Sequence, residues 1–203
     1  HPPHDENRLA DERDIYIAGT LPKSAYYESK IVMEQIVLAQ KIPAVVLNPT
    51  AVFGPGDLNL GLGGLLIAIA QGKMIGWLPG EINTVDVRDV AKAHIVAAEK
   101  GKAGERYIIG GHNYSVKDAM VKAAQAAGVK EPRFEIPMWV LSGIVKLGDI
   151  LPFMPLPANH LRTVEHWQGY NCEKAQLELG VVARPFRDTV RDALEWFRET
   201  GIL

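Results

Sequence analysis

Cysteine is nearly absent: Cys172 stands alone in 203 residues. No internal disulfide can form and no cysteine cluster can hold a metal, which fits a reducing cytoplasm. No apolar run reaches the roughly 18 residues of a membrane span, and the N-terminus lacks the basic-then-apolar form of a secretory signal. Excess charge is missing too. Twenty-two Lys and Arg against 24 Asp and Glu leave −2, with a pI of about 6.3, which supplies no electrostatic attraction for nucleic acid or an anionic membrane. Small molecules are the expected partners. Internal repeats, low-complexity tracts and any G-x-G-x-x-G are absent as well. There is no initiating Met: the opening HPPHDENRLADERD is polar and contains prolines, so the sequence reads as the later part of a longer protein.

What is present has the composition of a soluble globular protein, 47% hydrophobic and 23% charged. Residues 5 to 14 hold seven charges and read as a surface loop. A helix is expected from about Ser24 to Gln40, with Ile31, Met33, Ile36 and Val37 in its apolar pattern. AVVLN at 44 to 48, stopped by Pro49, suits a strand buried on both faces. Helix then buried strand is the rhythm of a parallel α/β sheet. TAVFGPGDLNLGLGG reads as a Gly-rich connection, GGLLIAIAQGK as a short helix ending near Gly72, and INTVDV as an alternating strand. Residues 87 to 100 follow a helical stripe of Val87, Val90, Ala91, His94, Ile95 and Ala98. RYIIG is a further strand. Ser115 and Asp118 make a capping-box-like start to a helix reaching Ala127, stopped by Gly128. The segment 137 to 151 reads as an apolar helix, and LPFMPLPANH after it as an irregular loop able to cover a site. The last helix, about 186 to 199, places Phe186, Val190, Leu194 and Phe197 on one face.

SAYYESK, residues 24 to 30, carries the candidate chemistry. Residues four apart share a helical face, so Tyr26 pairs with Lys30 while Tyr27 pairs with Ile31. A tyrosine, with an ordinary pKa of about 10, delivers a proton to a developing alkoxide efficiently only when its phenolate is stabilised. A fixed ammonium one turn away does that, and it can also hydrogen-bond a ribose. Six tyrosines and twelve lysines bring such a spacing about by chance in roughly one sequence of this length in three, so its neighbours must decide.

The neighbours do. YYESK on a helix, a strand ending in NPTAVFGPGD, then VDVRDVAKAHIVAAEKG, ERYIIGG and NCEKAQLELG…RPFRDTVRDALEWF resemble, in order, the later part of the extended short-chain dehydrogenase/reductases. That family includes NAD-dependent epimerase/dehydratases, dihydroflavonol-reductase-like enzymes and a hopanoid-associated epimerase-like branch. The resemblance implies an α/β fold: the later part of a Rossmann-type parallel sheet with a smaller C-terminal α/β substrate-binding lobe. Residues 1–55 would belong to the nucleotide-binding domain and 56–203 mainly to the lobe, with 82–100 returning to the Rossmann domain. It implies NAD or NADP as cofactor, a small-molecule substrate and a homodimer when complete.

Residue by residue, Tyr26 matches the catalytic tyrosine and Lys30 the lysine that binds the nicotinamide ribose. The turn Pro49, Thr50, Ala51, Val52 matches the loop beside the nicotinamide, Asn48 is a candidate for reaching substrate, and Arg184 matches an arginine near substrate phosphates. The family's pyrophosphate-binding Gly-rich turn has no counterpart here, since GLGG at 61 to 64 lacks the motif and follows the wrong element. The family's catalytic Ser or Thr would fall just before His1, because Ser24 and Thr20 lie too close to Tyr26. The expected reaction is hydride transfer at a carbonyl or secondary alcohol carbon of a sugar-derived or apolar substrate. The alternatives are a non-catalytic nucleotide-sensing or interaction module, and a fragment active only with its missing N-terminal half.

Several residues have plainer readings. His1 and His4 with Asp5 and Glu6 form a polar terminal loop rather than a metal site. His94 reads as a satisfied core histidine. Asp86 and Asp89 read as cap and orientation for the helix starting near Val87. Trp77, Trp139, Trp167 and Trp196 read as core or lid packing. Arg184 is balanced between a structural bond and an anion contact.

Overall fold

Helical and strand periods alternate along the chain, and the computed structural model, which describes residues 8–15, 25–137, 139–140 and 168–203, turns that alternation into a mixed α/β fold. In chain order the elements are α1 (Ala25–Leu38), β1 (Val46–Pro49), β2 (Ala51–Phe53), α2 (Leu62–Ala70), β3 (Gly76–Trp77), β4 (Glu81–Asp86), α3 (Val87–Lys100), β5 (Arg106–Ile109), β6 (His112–Ser115), α4 (Val116–Ala127), β7 (Phe134–Glu135), α5 (Glu173–Leu179) and α6 (Phe186–Glu199).

β1 runs parallel to β5, with Asn48 opposite Ile108 and Pro49 opposite Ile109. Pro49 has no N–H to extend the ladder. The Thr50 amide then donates to the Ile109 carbonyl at 3.1 Å, after which the chain crosses to β2, parallel to β4 with Ala51 opposite Thr84. β4 also pairs antiparallel with β6, and β3 pairs with β7. The crossover at Pro49 and Thr50 therefore joins two strand pairs.

Two apolar cores lie on either side of this arrangement. Phe53, Ile82, α2, α4 and α6 build one, with Phe186, Val190, Leu194 and Phe197 all buried in it. Val85, Tyr107, Ile109, α3 and α5 build the other. β4 feeds both, and Ile82 to Asp86 are buried without a break. Alternation fails in INTVDV because α3, α4 and α6 all pack on this strand and leave it no wet face.

α4 forms as its sequence dictates. Ser115 accepts the Asp118 amide at 3.0 Å and donates to its carboxylate at 2.7 Å, and Gly128 ends the helix with φ +71°, a left-handed conformation that costs a side-chain-bearing residue more.

Other expectations need correcting. β1 is half-buried rather than enclosed, since among the described residues it pairs only with β5. α3 buries Asp89, Val90, Ala93 and Ala97, not the stripe through Ala91, His94 and Ile95. His94 is exposed, with Nδ1 2.8 Å from the Val90 carbonyl. The packed face follows Val90 and the small alanines because α5 and the strands approach α3 there. The charged stretch around residue 11 is no simple surface loop: Ala10 is buried and bridges Tyr170, with Asp11 buried beside it. Trp139 is exposed, outside any core. The expected helix 137–151 lies, apart from residues 137, 139 and 140, outside the described residues, as do LPFMPLPANH, Trp167 and the group His1, His4, Asp5 and Glu6. Among the described residues no helix is long and apolar enough to cross a membrane.

Candidate active site

α1 carries Tyr26 and Lys30 on one face. Both are exposed, and the Lys30 ammonium stands 5.5 Å from the Tyr26 ring centroid. The Ser29 hydroxyl donates to the Tyr26 carbonyl at 2.7 Å, binding down one of the first turn's backbone groups. The Tyr27 ring meets the Tyr26 ring edge-on at 5.5 Å. Among the described residues neither the Tyr26 hydroxyl nor the Lys30 ammonium has a hydrogen-bonding or ion-pair partner.

One turn beyond Lys30, Glu34 continues the same face. Its carboxylate accepts from Asn48 Nδ2 at 2.7 Å and from the Arg106 guanidinium at 2.7 Å. Arg106 also donates to the Asp14 carbonyl, and Asp14 in turn pairs with Arg8. Glu34 thus ties α1 to β1 and β5. With 1.5 Å of rise per residue, Tyr26 lies about 12 Å along the helix from Glu34. Because α1 runs back against β1, that places the phenol beyond the C-terminal end of β1, the edge at which open α/β sheets bind ligands. Glu34 and Arg106 escaped the sequence reading. The signal for Glu34 was its place eight residues after Tyr26; nothing local announces Arg106.

The crossover after Asn48 is held from beneath. The Thr50 hydroxyl donates to Asn83 Oδ1 at 2.8 Å, which also accepts the Gly111 amide at 3.0 Å, while Asn83 Nδ2 donates to Asn113 Oδ1 at 2.6 Å. Asn83 is buried and satisfied at both ends, as a buried amide must be. A Cβ on Gly110 would lie 2.4 Å from both Asn83 Oδ1 and Cys172 Sγ, so the approach requires glycine. Ala51 and Val52 follow in β2, half-buried beside β4, while Pro49 is exposed.

Arg184 lies elsewhere, at the start of α3. It donates to the Asp89 carboxylate at 2.8 and 3.1 Å and approaches Asp86 at 3.6 Å; the Asp89 hydrogen bond, ahead of all else, raises its pKa. Asp86 caps α3 by accepting the Arg88 amide and takes the Arg88 guanidinium at 2.7 Å. Burial works to raise the Asp86 carboxyl, but the bonds from Arg88 and Thr189 outweigh it and hold it below the usual carboxylate range. The capping role expected of Asp86 is what the structure shows, and Arg184 makes the structural bond. The structure brings Tyr26 and Lys30 together, sets Asn48 against their helix, and continues into Pro49–Val52; Arg184 is engaged by the two aspartates.

The NAD dependent epimerase/dehydratase family matches residues 4–110, the stretch that includes Tyr26, Lys30 and the Asn48–Val52 crossover. The chain belongs to this family. It is 29% identical over 193 residues to sterol demethylase protein B of Methylococcus capsulatus, covering 90% of this chain and 59% of that protein. It is 27% identical over 192 residues to a putative dihydroflavonol 4-reductase of Synechocystis, covering 87% and 55%. A nucleoside-diphosphate-sugar epimerase from Pseudomonas aeruginosa superposes with a TM-score of 0.82 at 27% identity, over 98% of this chain and 64% of that one. The chain therefore spans somewhat more than half the length of the curated relatives it matches. No described segment supplies the Gly-rich turn that would hold the pyrophosphate of this family's cofactor.

Proposed function

We propose that the full-length protein is an NAD(P)-dependent oxidoreductase or epimerase acting on a carbonyl or secondary alcohol carbon of a sugar-derived or apolar substrate. The observation that carries this reading is the Tyr26–Lys30 pair, exposed together on the helix that Glu34 anchors to β1 and β5. When bound, NAD or NADP supplies a nicotinamide that accepts or donates hydride. The Tyr26 hydroxyl gives its proton to the developing alkoxide, or as phenolate takes it from the alcohol. The Lys30 ammonium stabilises that phenolate and reaches a ribose hydroxyl. Pro49, Thr50, Ala51 and Val52 line the nicotinamide end, with the Thr50 hydroxyl fixed by Asn83 so that its lone pairs remain for a ligand.

Asn48 has committed Nδ2 to Glu34, which leaves its Oδ1 to accept from substrate. Arg184 meets an anionic group of the substrate on the edge of its fork that the two aspartates leave open. Family membership and the likeness to a nucleoside-diphosphate-sugar epimerase support a sugar-nucleotide substrate; the likeness to a dihydroflavonol reductase supports an apolar ketone. In this reading residues 1–55 and 82–100, with α3, belong to the nucleotide-binding domain, the rest of 56–203, with the α2/α4/α6 core, is mainly the substrate lobe, and the enzyme is a cytoplasmic homodimer.

The test is turnover by the full-length protein with NAD(P), followed as nicotinamide reduction with cyclohexanol and as conversion of UDP-glucose to its epimer, which leaves the nicotinamide unchanged overall. Tyr26→Phe is expected to lower turnover by about two to four orders of magnitude while leaving the fold intact. Lys30→Met is expected to weaken NADH and NADPH binding followed by fluorescence. Full activity in Tyr26→Phe removes the tyrosine from the mechanism.

A further inference from the structure

Lys30 and Glu34 stand four residues apart on α1, the spacing at which opposite charges pair across a turn with Cβ atoms about 5–6 Å apart. They make no ion pair. Lys30 lies over the Tyr26 ring, while the Glu34 carboxylate is taken by Asn48 and Arg106 from the neighbouring strands, each at 2.7 Å. Three physical reasons favour that choice. Lysine N-terminal to glutamate is the weaker order for such a pair. The Glu34–Arg106 pair is mostly buried, with side chains 18% and 19% exposed, where a charge-assisted bond is screened less than at the surface. Arg106 is itself pinned, donating to the Asp14 carbonyl and so held in line with Glu34.

We infer that Arg106 is a positioning residue which, by occupying Glu34, keeps the Lys30 ammonium on Tyr26. The inference rests on the catalytic reading of Tyr26 and Lys30 but concerns a residue on a different strand. Without Arg106, a half-buried carboxylate is left with one amide donor, and Lys30 is a mobile cation one turn away on its face. Its ammonium swings back one turn, and the phenolate loses its counter-charge. Among the described residues, the charged and titratable groups around the pair are Tyr27, Glu28 and Glu34 from α1 itself, Arg106 from β5 and Asp14 from the segment before α1, with none from β1, whose residues Val46–Pro49 carry no such group.

The experiment follows NADH binding to the full-length protein by fluorescence, so it needs no substrate. Arg106→Gln is expected to weaken NADH binding roughly tenfold as Lys30 leaves the ribose. Adding Glu34→Gln to Arg106→Gln removes the competing charge and returns the affinity to the wild-type value. Arg106→Lys, which keeps a cation for Glu34 and spares the fold, holds the wild-type affinity. An unchanged affinity in Arg106→Gln, a loss that Glu34→Gln does not reverse, or a loss in Arg106→Lys overturns the inference. Turnover surviving in Tyr26→Phe would instead defeat the catalytic reading, so the two failures are distinguishable.

Discussion

Cys172 and Asp86 are both buried, and their surroundings send them in opposite directions. For Cys172, burial dominates and pushes the thiol up to about 12, with Gly110 packed against its sulfur. A thiol so placed stays protonated and closed to reagents. Native protein at about pH 8 is expected to leave Cys172 unlabelled by Ellman's reagent over the time in which a denatured sample reacts fully; equal rates would refute the burial described. For Asp86, the bonds from Arg88 and Thr189 outweigh burial, so its folded pKa lies below the ordinary 3.8. Its contribution to stability is therefore present above that ordinary value and is lost as pH falls through the folded one. Melting curves taken from about pH 7 to about pH 3 are expected to fall less steeply for Asp86→Asn than for wild type, although that variant starts less stable. Parallel curves would show that Asp86 does not carry the acid sensitivity.

Among elements, α4 shows most directly why local signals are legible. Its N-cap, Ser115, and its C-cap, Gly128, act within four residues of the backbone groups they serve, so neighbours in sequence suffice to find them. Ser115→Ala is expected to cost about 1 kcal/mol, and Gly128→Ala about 1–2 kcal/mol for forcing a side chain into the left-handed region. Both would be read as a lower urea midpoint with an unchanged slope; a midpoint within error of wild type for Ser115→Ala would mean the cap bond contributes nothing. The same reasoning explains the elements that were missed. β2 and β6 are three and four residues long, hidden in the stretches PTAVFG and GHNYS with no period to detect, and each becomes a strand only because β4 offers both its edges. α3 was recognised but its buried face misassigned, since Ile95 and His94 look more core-like than alanine until α5 is seen to press on Ala93 and Ala97.

At the scale of the whole molecule, α1 shows solvent a row of Val32, Met33, Ile36 and Val37, all exposed, and β1 has only β5 beside it among the described residues. Apolar surface and an open strand edge together invite association. The 203-residue chain by itself is expected to scatter light and bind NADH weakly, with scattering reduced in Met33→Lys/Ile36→Lys; a monodisperse monomer binding NADH at low micromolar concentration would contradict this. The sequence by itself determined that Tyr26 and Lys30 share a face of α1, the caps of α4 and the buried face of α6, because each depends on residues within a few turns of one another. Only the tertiary structure decided that Glu34 reaches Asn48 and Arg106, that Asn83 fixes Thr50, and that Arg184 is held by Asp86 and Asp89. Those bonds join residues 14 to 98 positions apart, and a hydrogen bond at 2.7 Å depends on where strands and helices finally pack, which no local pattern encodes.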